Sequence, residues 1–388
     1  MSNPSYEQAV TSWAAHLRDG GTTAWDRFRD EVVPAAAPDV RPVPDSVHLE
    51  LVRRLNLASG GVAHPGLVDH VLATVAPGRG RVDIPLPWPD SPPRFGIAPM
   101  DPVALPSAEL VRLSVGVLAR LLPGVPVPPA QPAGARWPLP WRRRFRLHGS
   151  PGTVAAVRRA LLAQGLVESD WAPTHVVIAR PIEVMMAEHW AASVHAGGIL
   201  RWSTLWRRTR TSGRLPGRID VAAIAGRLED ETGDRRRGSK LHVVVAREAH
   251  EAVALTAGLL RARLVEALET GDPSASDLLR RLNRLTALTA GPEHVRAIAA
   301  SLVRLLADAP IHSDALPPVT PRASLPWASA TAEATRDAIT SAGYSVHGDP
   351  GALLPADLRR PETIDRDRTL DLAVHASLRA WELQEGHT

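Results

Sequence analysis

The chain of 388 residues has no cysteine. Disulfides, thiolate metal sites and a cysteine nucleophile are therefore excluded. Lysine is almost as scarce: of 45 basic residues only Lys240 is a lysine, and the other 44 are arginine. A phosphate loop of the Gly-Lys-Ser/Thr kind needs its lysine directly after the glycines. Lys240 instead begins a strand-like run, so no Gly-Lys-Ser/Thr loop exists and an ordinary P-loop kinase or ATPase is not expected. Asn, Ile, Phe and Tyr are also rare, against abundant Ala, Val, Leu and Pro, the bias that GC-rich bacterial coding produces. Nowhere do about 18 apolar residues run unbroken, and the N-terminal MSNPSYEQAVTSWAAHLRDGG carries acidic residues and no signal-peptide core. A soluble, cytoplasmic protein with no membrane partner is expected. No His-Glu-x-x-His occurs and the histidines do not group at ligand spacing, so no metal is expected. A Gly-x-Ser-x-Gly nucleophile elbow is absent as well, since His148-Gly149-Ser150-Pro151-Gly152 lacks the spacing.

What is present is an ordinary globular composition, 44% hydrophobic, long enough for two or three domains. The sequence pI near 10.3 largely reflects arginine, because the formal charge is only +4. That charge is unevenly placed: residues 1–140 carry −1, 141–250 carry +9 and 251–388 carry −4. An anionic ligand would be drawn to the middle third first.

Apolar spacing predicts helices over Tyr6–Arg18, Ser46–Asn56, Pro65–Thr74 and Ser107–Leu122, giving a mainly helical N-terminal domain over 1–122. The helix pair around Leu57–Pro65 has a helix-turn-helix outline, but HPGLVDHVLA holds no Arg or Lys with which to read DNA. Asp83–Pro106 is crowded with prolines and suits edge strands or extended cover. PGVPVPPAQPAGARWPLPW reads as an extended linker over 123–141. Beyond it, strand-like Arg144–His148, His175–Ala179 and Lys240–Ala246 alternate with helical Val154–Gln164 and Glu183–His195. The last two strands are continuous β-branched runs, as in a parallel sheet covered on both faces. Residues 247–310 read as helical, and Ser329–Ala342, a turn at Gly343 and Tyr344–His347 read as helix, turn and strand. These assignments predict an α/β domain over 142–360 and a C-terminal helical tail over 361–388.

Four places could carry chemistry. In LHGSPGTVAAVRRALLAQGL a Gly-Ser-Pro-Gly-Thr cluster stands between a strand and a helix, the order in which phosphate-cradling loops occur. It is either such a cradle or a plain strand-to-helix turn capped by Thr153. Arg180 follows a strand, at the end where α/β sheets bind ligands, and is either an anion clamp or a salt-bridged arginine. Glu188 and His189 follow on a helix, where one of them could serve as a general base. Finally, Arg207, Arg208 and Arg210 beside Trp202 and Trp206 form either a nucleic-acid platform or a helix with tryptophans in the core and arginines in water. Asp234-Arg235-Arg236-Arg237-Gly238 reads as a surface loop.

Put in order, several segments resemble the sulfotransferase-like P-loop proteins common in actinobacteria. The segments are LHGSPGTVAAVRRALLAQG, HVVIARPIEVMMAEHWAASVHAGG, RLPGRIDVAAIAGRL followed by KLHVVVA, DLLRRLNRL at 277–285, and WASATAEATRDAITSAGYSVHGDPGALLP at 327–355. The resemblance covers about 145–355. It implies a three-layer, parallel-sheet, P-loop-like α/β domain and 3′-phosphoadenosine-5′-phosphosulfate as sulfuryl donor to a hydroxyl or amine. By position Gly149, Ser150, Gly152 and Thr153 would hold the 5′-phosphate and Arg180 the 3′-phosphate, with His148 or Glu188 as the base. The sequence departs from the pattern at two points. The loop has no lysine, and Glu188 stands where the family places a serine on the 3′-phosphate. A carboxylate within a few ångströms of that phosphate would cost on the order of 1–4 kcal/mol. The departures point to a diverged member that keeps an anion or nucleotide pocket with weak or no catalysis, a pseudoenzyme acting through a small anionic ligand or through protein contacts of the N-terminal domain. In that case Glu188 or another side chain should fill the pocket. The alternatives are an active sulfotransferase in which an arginine among Arg142–Arg144 or Arg146 replaces the lysine, and a nucleic-acid or partner-binding protein using the basic centre, of which nucleic acid is the less expected.

Overall fold

The computed structural model describes residues 6–31, 46–75, 77, 84, 86–87, 99–125, 144–170, 173–232, 241–262, 271–307, 309, 320–355 and 364–386. In chain order the helices begin with α1 (Tyr6–Arg18), α2 (Trp25–Glu31), α3 (Ser46–Ala58), α4 (Pro65–Leu72) and α5 (Ser107–Leu121). There follow β1 (Arg144–Gly149), α6 (Pro151–Ala163), β2 (Val167–Glu168), β3 (Thr174–Ala179), α7 (Ile182–His195), α8 (Trp202–Ser212), α9 (Val221–Thr232), β4 (Leu241–Val245) and α10 (Ala249–Leu259). The chain continues through α11 (Pro273–Thr286), α12 (Pro292–Ala307), α13 (Leu325–Ser341) and β5 (Ser345–Gly348) to α14 (Arg366–Glu385).

Two compact units result: 1–128 with 277–310 and 365–388, and 129–276 with 311–364. This division differs from the consecutive domains read from the sequence. Residues 277–310 and 365–388, assigned there to the α/β domain and to a tail, stand in the helical unit instead. The physical reason is burial. Helix α14 lies against α5, α12 and α3, hiding Leu370, Ala373, Ala376 and Ala380, which is packing rather than the exposure of a tail. The segment DLLRRLNRL likewise belongs to this unit, with Leu278, Leu279 and Leu282 buried and Asp277 holding Arg280 and Arg281 at 2.7 Å. The linker of 123–141 and the loop Asp234–Gly238 fall almost wholly outside the described residues, as does most of Asp83–Pro106.

The helical unit is built around α3, which is buried on most sides and therefore carries polar groups that must be satisfied internally. Glu50, fully buried, accepts from Arg53 at 2.7 and 2.8 Å and from Arg54 at 3.0 Å. Buried Asn56 donates to the Leu17 and Gly21 carbonyls and accepts from the Ala63 amide, tying α1, α3 and the approach to α4 together. Helix α4 is covered by Trp381, whose ring lies 5.6 Å from His64 and 6.3 Å from His70. With no Arg or Lys and a packed face, α4 has neither the charge nor the exposure of a recognition helix.

The second unit is α/β: a five-stranded, wholly parallel sheet in the order β2-β1-β3-β4-β5. Helices α6 and α10 pack on one face, over Phe145, Leu147, Val176, Ile178 and Val244. Helix α9 packs on the other, against β1, β3 and β4, with α13 beside it. From β1 the chain goes outward through α6 to β2, then back past β1 to β3 and onward through α9 and α13. The connections leave β1 and β3 in opposite directions, so the topological switch point lies between these two strands, at their carboxyl ends. No described helix is long and apolar enough to cross a membrane.

Candidate functional site

The switch point is where the loop after β1 and Arg180 after β3 meet. Two glycines make the meeting possible. Gly149 has φ +113, and a Cβ there would fall 2.1 Å from the Ile178 carbonyl oxygen, so only glycine lets β1 turn away while still paired to β3. Gly152 opens the first turn of α6, where a Cβ would stand 2.9 Å from Glu188 Oε2.

Glu188 fills the site. Its carboxylate accepts four hydrogen bonds: from Ser150 Oγ at 2.5 Å, the Thr153 amide at 2.7 Å, Thr153 Oγ1 at 2.7 Å and Arg180 Nη1 at 2.8 Å. Arg180 Nη1 also reaches Thr153 Oγ1 at 3.2 Å, and Nη2 donates to the Arg247 carbonyl at 3.0 Å. Ser150, Thr153 and Arg180 are all buried. Ser150 is the N-cap residue of α6 yet makes no cap bond with its own side chain. Glu188, from the second turn of α7, takes the Thr153 amide in its place and sets a negative charge at the positive end of α6. The donors that would cradle a phosphate thus cradle a carboxylate of the same chain.

The structure brings Ser150, Gly152, Thr153, Arg180 and Glu188 to one point and leaves His148 apart from it. The His148 ring lies on the sheet face under α9, its Nε2 3.2 Å from His175 Nδ1, with the two rings stacked at 5.5 Å. Burial, then the neighbouring charges of His175, Arg146 and Arg227, lower its pKa to about 4, so the imidazole is neutral near pH 7. Glu188 is held by four donors and is not poised to take a proton from an acceptor. The placement of Arg180 also differs from the expected division of labour. Its Nη1 stands at the loop itself, so the loop and the arginine close on a single group instead of holding two phosphates at separate places.

The tryptophans settle the fourth candidate. Trp202 and Trp206 are buried, at 5.7 Å from each other, and join Trp190 at 5.9 Å and Trp327 at 6.2 Å in a cluster of edge-to-face rings. No base can stack on them, while Arg207, Arg208 and Arg210 are exposed.

Sequence reasoning missed two groupings on the second unit. A cavity of about 710 Å³ lies along β1 and is lined by Arg146, His148, Arg158, Arg218 and Arg227 among others. On the opposite sheet face His242 Nδ1 meets His347 Nε2 at 3.1 Å. Both depend on strand register and helix placement, for which the linear pattern holds no signal beyond the alternation of histidines with apolar residues in the strands.

Compared with protein-family profiles, curated proteins and solved structures, the chain gives no match.

Proposed function

We propose that this chain is a diverged sulfotransferase-like protein whose anion cradle is held shut by its own Glu188, so that it works by binding and not by sulfuryl transfer. The observation that carries this reading is the set of four donors on the Glu188 carboxylate, from the loop, the start of α6 and Arg180. A transferase needs these donors free for the leaving phosphate and a cation for the charge that develops on it. Here the donors are spent, the loop has no lysine, and both base candidates are engaged elsewhere. The residues left, Ser150, Gly152, Thr153 and Arg180, suit a phosphate or sulfate group only when Glu188 is displaced.

Calorimetric titration with adenosine 3′,5′-bisphosphate tests the reading, on the wild-type chain and on Glu188→Ala. Removing the carboxylate leaves Arg180 buried without its partner, which costs about 3–5 kcal/mol. The variant should therefore melt several degrees lower and be restabilised by the bisphosphate, while the cradle of the wild type takes none. Micromolar binding by the wild type that is lost in Arg180→Ala would overturn the closed-cradle reading in favour of a working donor site.

A further inference from the structure

We propose that the arginine-lined cavity beside the outer edge of β1 is a second anion site, one that binds a small molecule carrying two phosphate groups, such as a diphosphate. The proposal does not rest on the reading of the cradle, because the two sites share no side chain: the cavity is bounded by Arg146, His148, Arg158, Arg218, Ile224 and Arg227 and the cradle by Ser150, Thr153, Arg180 and Glu188.

The cavity exists because β2 is short. It pairs only with Arg144 and Phe145, so the rest of β1 has no strand on its outer side. Helix α6 bounds this gap from one sheet face through Pro151, Val154 and Arg158. Helix α9 and the loop before it bound it from the other through Ile224, Arg227 and Arg218. Four guanidinium groups thus converge from three elements and a loop, and no Asp or Glu lines the space. The partners of three of these arginines stand outside it. Arg158 is paired to Glu168 at 2.8 and 2.9 Å, Arg146 to an exposed Asp170, and Arg227 to Glu231 at a loose 3.8 Å. Among the described residues Arg218 makes no ion pair. A guanidinium bound on one edge still offers donors on the other, and its planar fork matches the oxygens of a phosphate.

Burial is the main cause of the lowered pKa of His148, followed by His175, with Arg146 and Arg227 of the same cavity adding to it. Arg218 itself closes a stretch, Ala196 to Ile219, that holds six arginines and no acidic residue. The size argues for more than one phosphate. A space of about 710 Å³ lies within the range of small-molecule sites and exceeds the volume of a single oxyanion several-fold. Four guanidinium groups on different elements can reach two phosphate groups at once, where a single oxyanion would leave some of their free donors unused.

Inorganic pyrophosphate is the probe, with orthophosphate at equal ionic strength as its comparison, in isothermal titration of the full chain. The expected result is saturable binding of one pyrophosphate per chain, about tenfold or more tighter than orthophosphate. The double variant Arg218→Ser with Arg227→Ser should weaken it by about tenfold or more, since both side chains are exposed and their loss leaves the core intact. Arg207→Ser with Arg208→Ser, which removes the same charge from α8, should change it less than about twofold. Absence of saturable binding at millimolar pyrophosphate would overturn the proposal, and so would an equal loss in the two double variants, which would mark diffuse attraction without a site. Dependence on Arg218 and Arg227, as against dependence on Arg180, separates this site from the cradle.

Discussion

At the scale of single residues, Glu188 and His148 of the second unit each meet their partners within the unit, and this governs what they can do. Arg180, buried, and Glu188, largely so, pair at 2.8 Å, and Ser150, Thr153 and the Arg247 carbonyl meet their other groups except Arg180 Nε, which has no partner among the described residues. Such a pair contributes little net stability but is costly to break, which holds α6 and α7 in a fixed relation. His148 is the counterpart on the neighbouring sheet face, an imidazole kept neutral by burial and by positive neighbours, with Glu168 opposing. Its folded pKa of about 4 lies below the unfolded value near 6.5. As pH falls through this window the unfolded chain takes up a proton that the folded one refuses. Stability is therefore full above about pH 6.5, declines toward pH 4 and levels off below it. Urea unfolding should show a loss on the order of 1–2 kcal/mol between pH 7 and pH 4.5 from this residue, after discounting for the ring's partial exposure. His148→Asn should recover that part of the loss, and an unchanged pH dependence in the variant would show that the ring titrates normally.

At the scale of elements, the turn from β1 into α6 decides the geometry of the cradle. Continuous pairing of β1 with β3 up to Gly149 and Ile178 brings the two backbones too close for any side chain at Gly149. Gly348 of β5 is constrained in the same way against the Val245 carbonyl oxygen, 2.0 Å from its Cβ position, whereas a helix glycine can be free of it. Gly226, within α9, has nothing within 4 Å of where its Cβ would stand. Gly149→Ala should therefore cost at least about 2 kcal/mol from strain and collision. Gly226→Ala should stabilise by about 0.5–1 kcal/mol through helix propensity alone. Thermal unfolding of the two single variants checks the contrast, and equal effects would mean that the β1 turn relaxes without cost. The same element scale explains the capping of α6: its N-cap serine gives its hydroxyl to Glu188, and the glutamate of the neighbouring helix caps in its place.

At the scale of the whole molecule, neither unit is one continuous stretch of chain. The helical unit takes residues 1–128, 277–310 and 365–388, and the α/β unit takes 129–276 and 311–364. A helical unit assembled from three segments cannot be cut after the first without losing core. Deleting residues 365–388 removes α14 and uncovers α5, where Leu110, Leu113, Val117 and Leu118 are buried. Exposing that many apolar side chains, each contributing roughly 1.5–3 kcal/mol when buried, exceeds the stability of an ordinary domain. The truncated chain should be insoluble, or bind hydrophobic dyes and show no cooperative unfolding of the helical unit. A soluble truncate with an unchanged melting curve would show that the C-terminal helix is a tail after all.

Many of the elements are legible along the chain, though α2 and β2 are not. Apolar periodicity located α1, α3, α4 and α5, β-branched runs located β3 and β4, and the Gly-Ser-Pro-Gly-Thr cluster located the β1–α6 turn, because each of these signals is local and repeats every two or 3.6 residues. The sequence also set aside lysine and cysteine chemistry, and it raised Glu188 as the residue that would conflict with a phosphate. Which elements share a core, and what each polar group meets, emerges only in three dimensions. The membership of α12 and α14 in the helical unit, the meeting of Glu188 with Ser150, Thr153 and Arg180, the stacking of His148 on His175 and the convergence of four arginines beside β1 all join residues from separate elements. Their contacts depend on strand order, register and helix placement, and these are fixed by packing of the whole chain and leave no periodic trace along it.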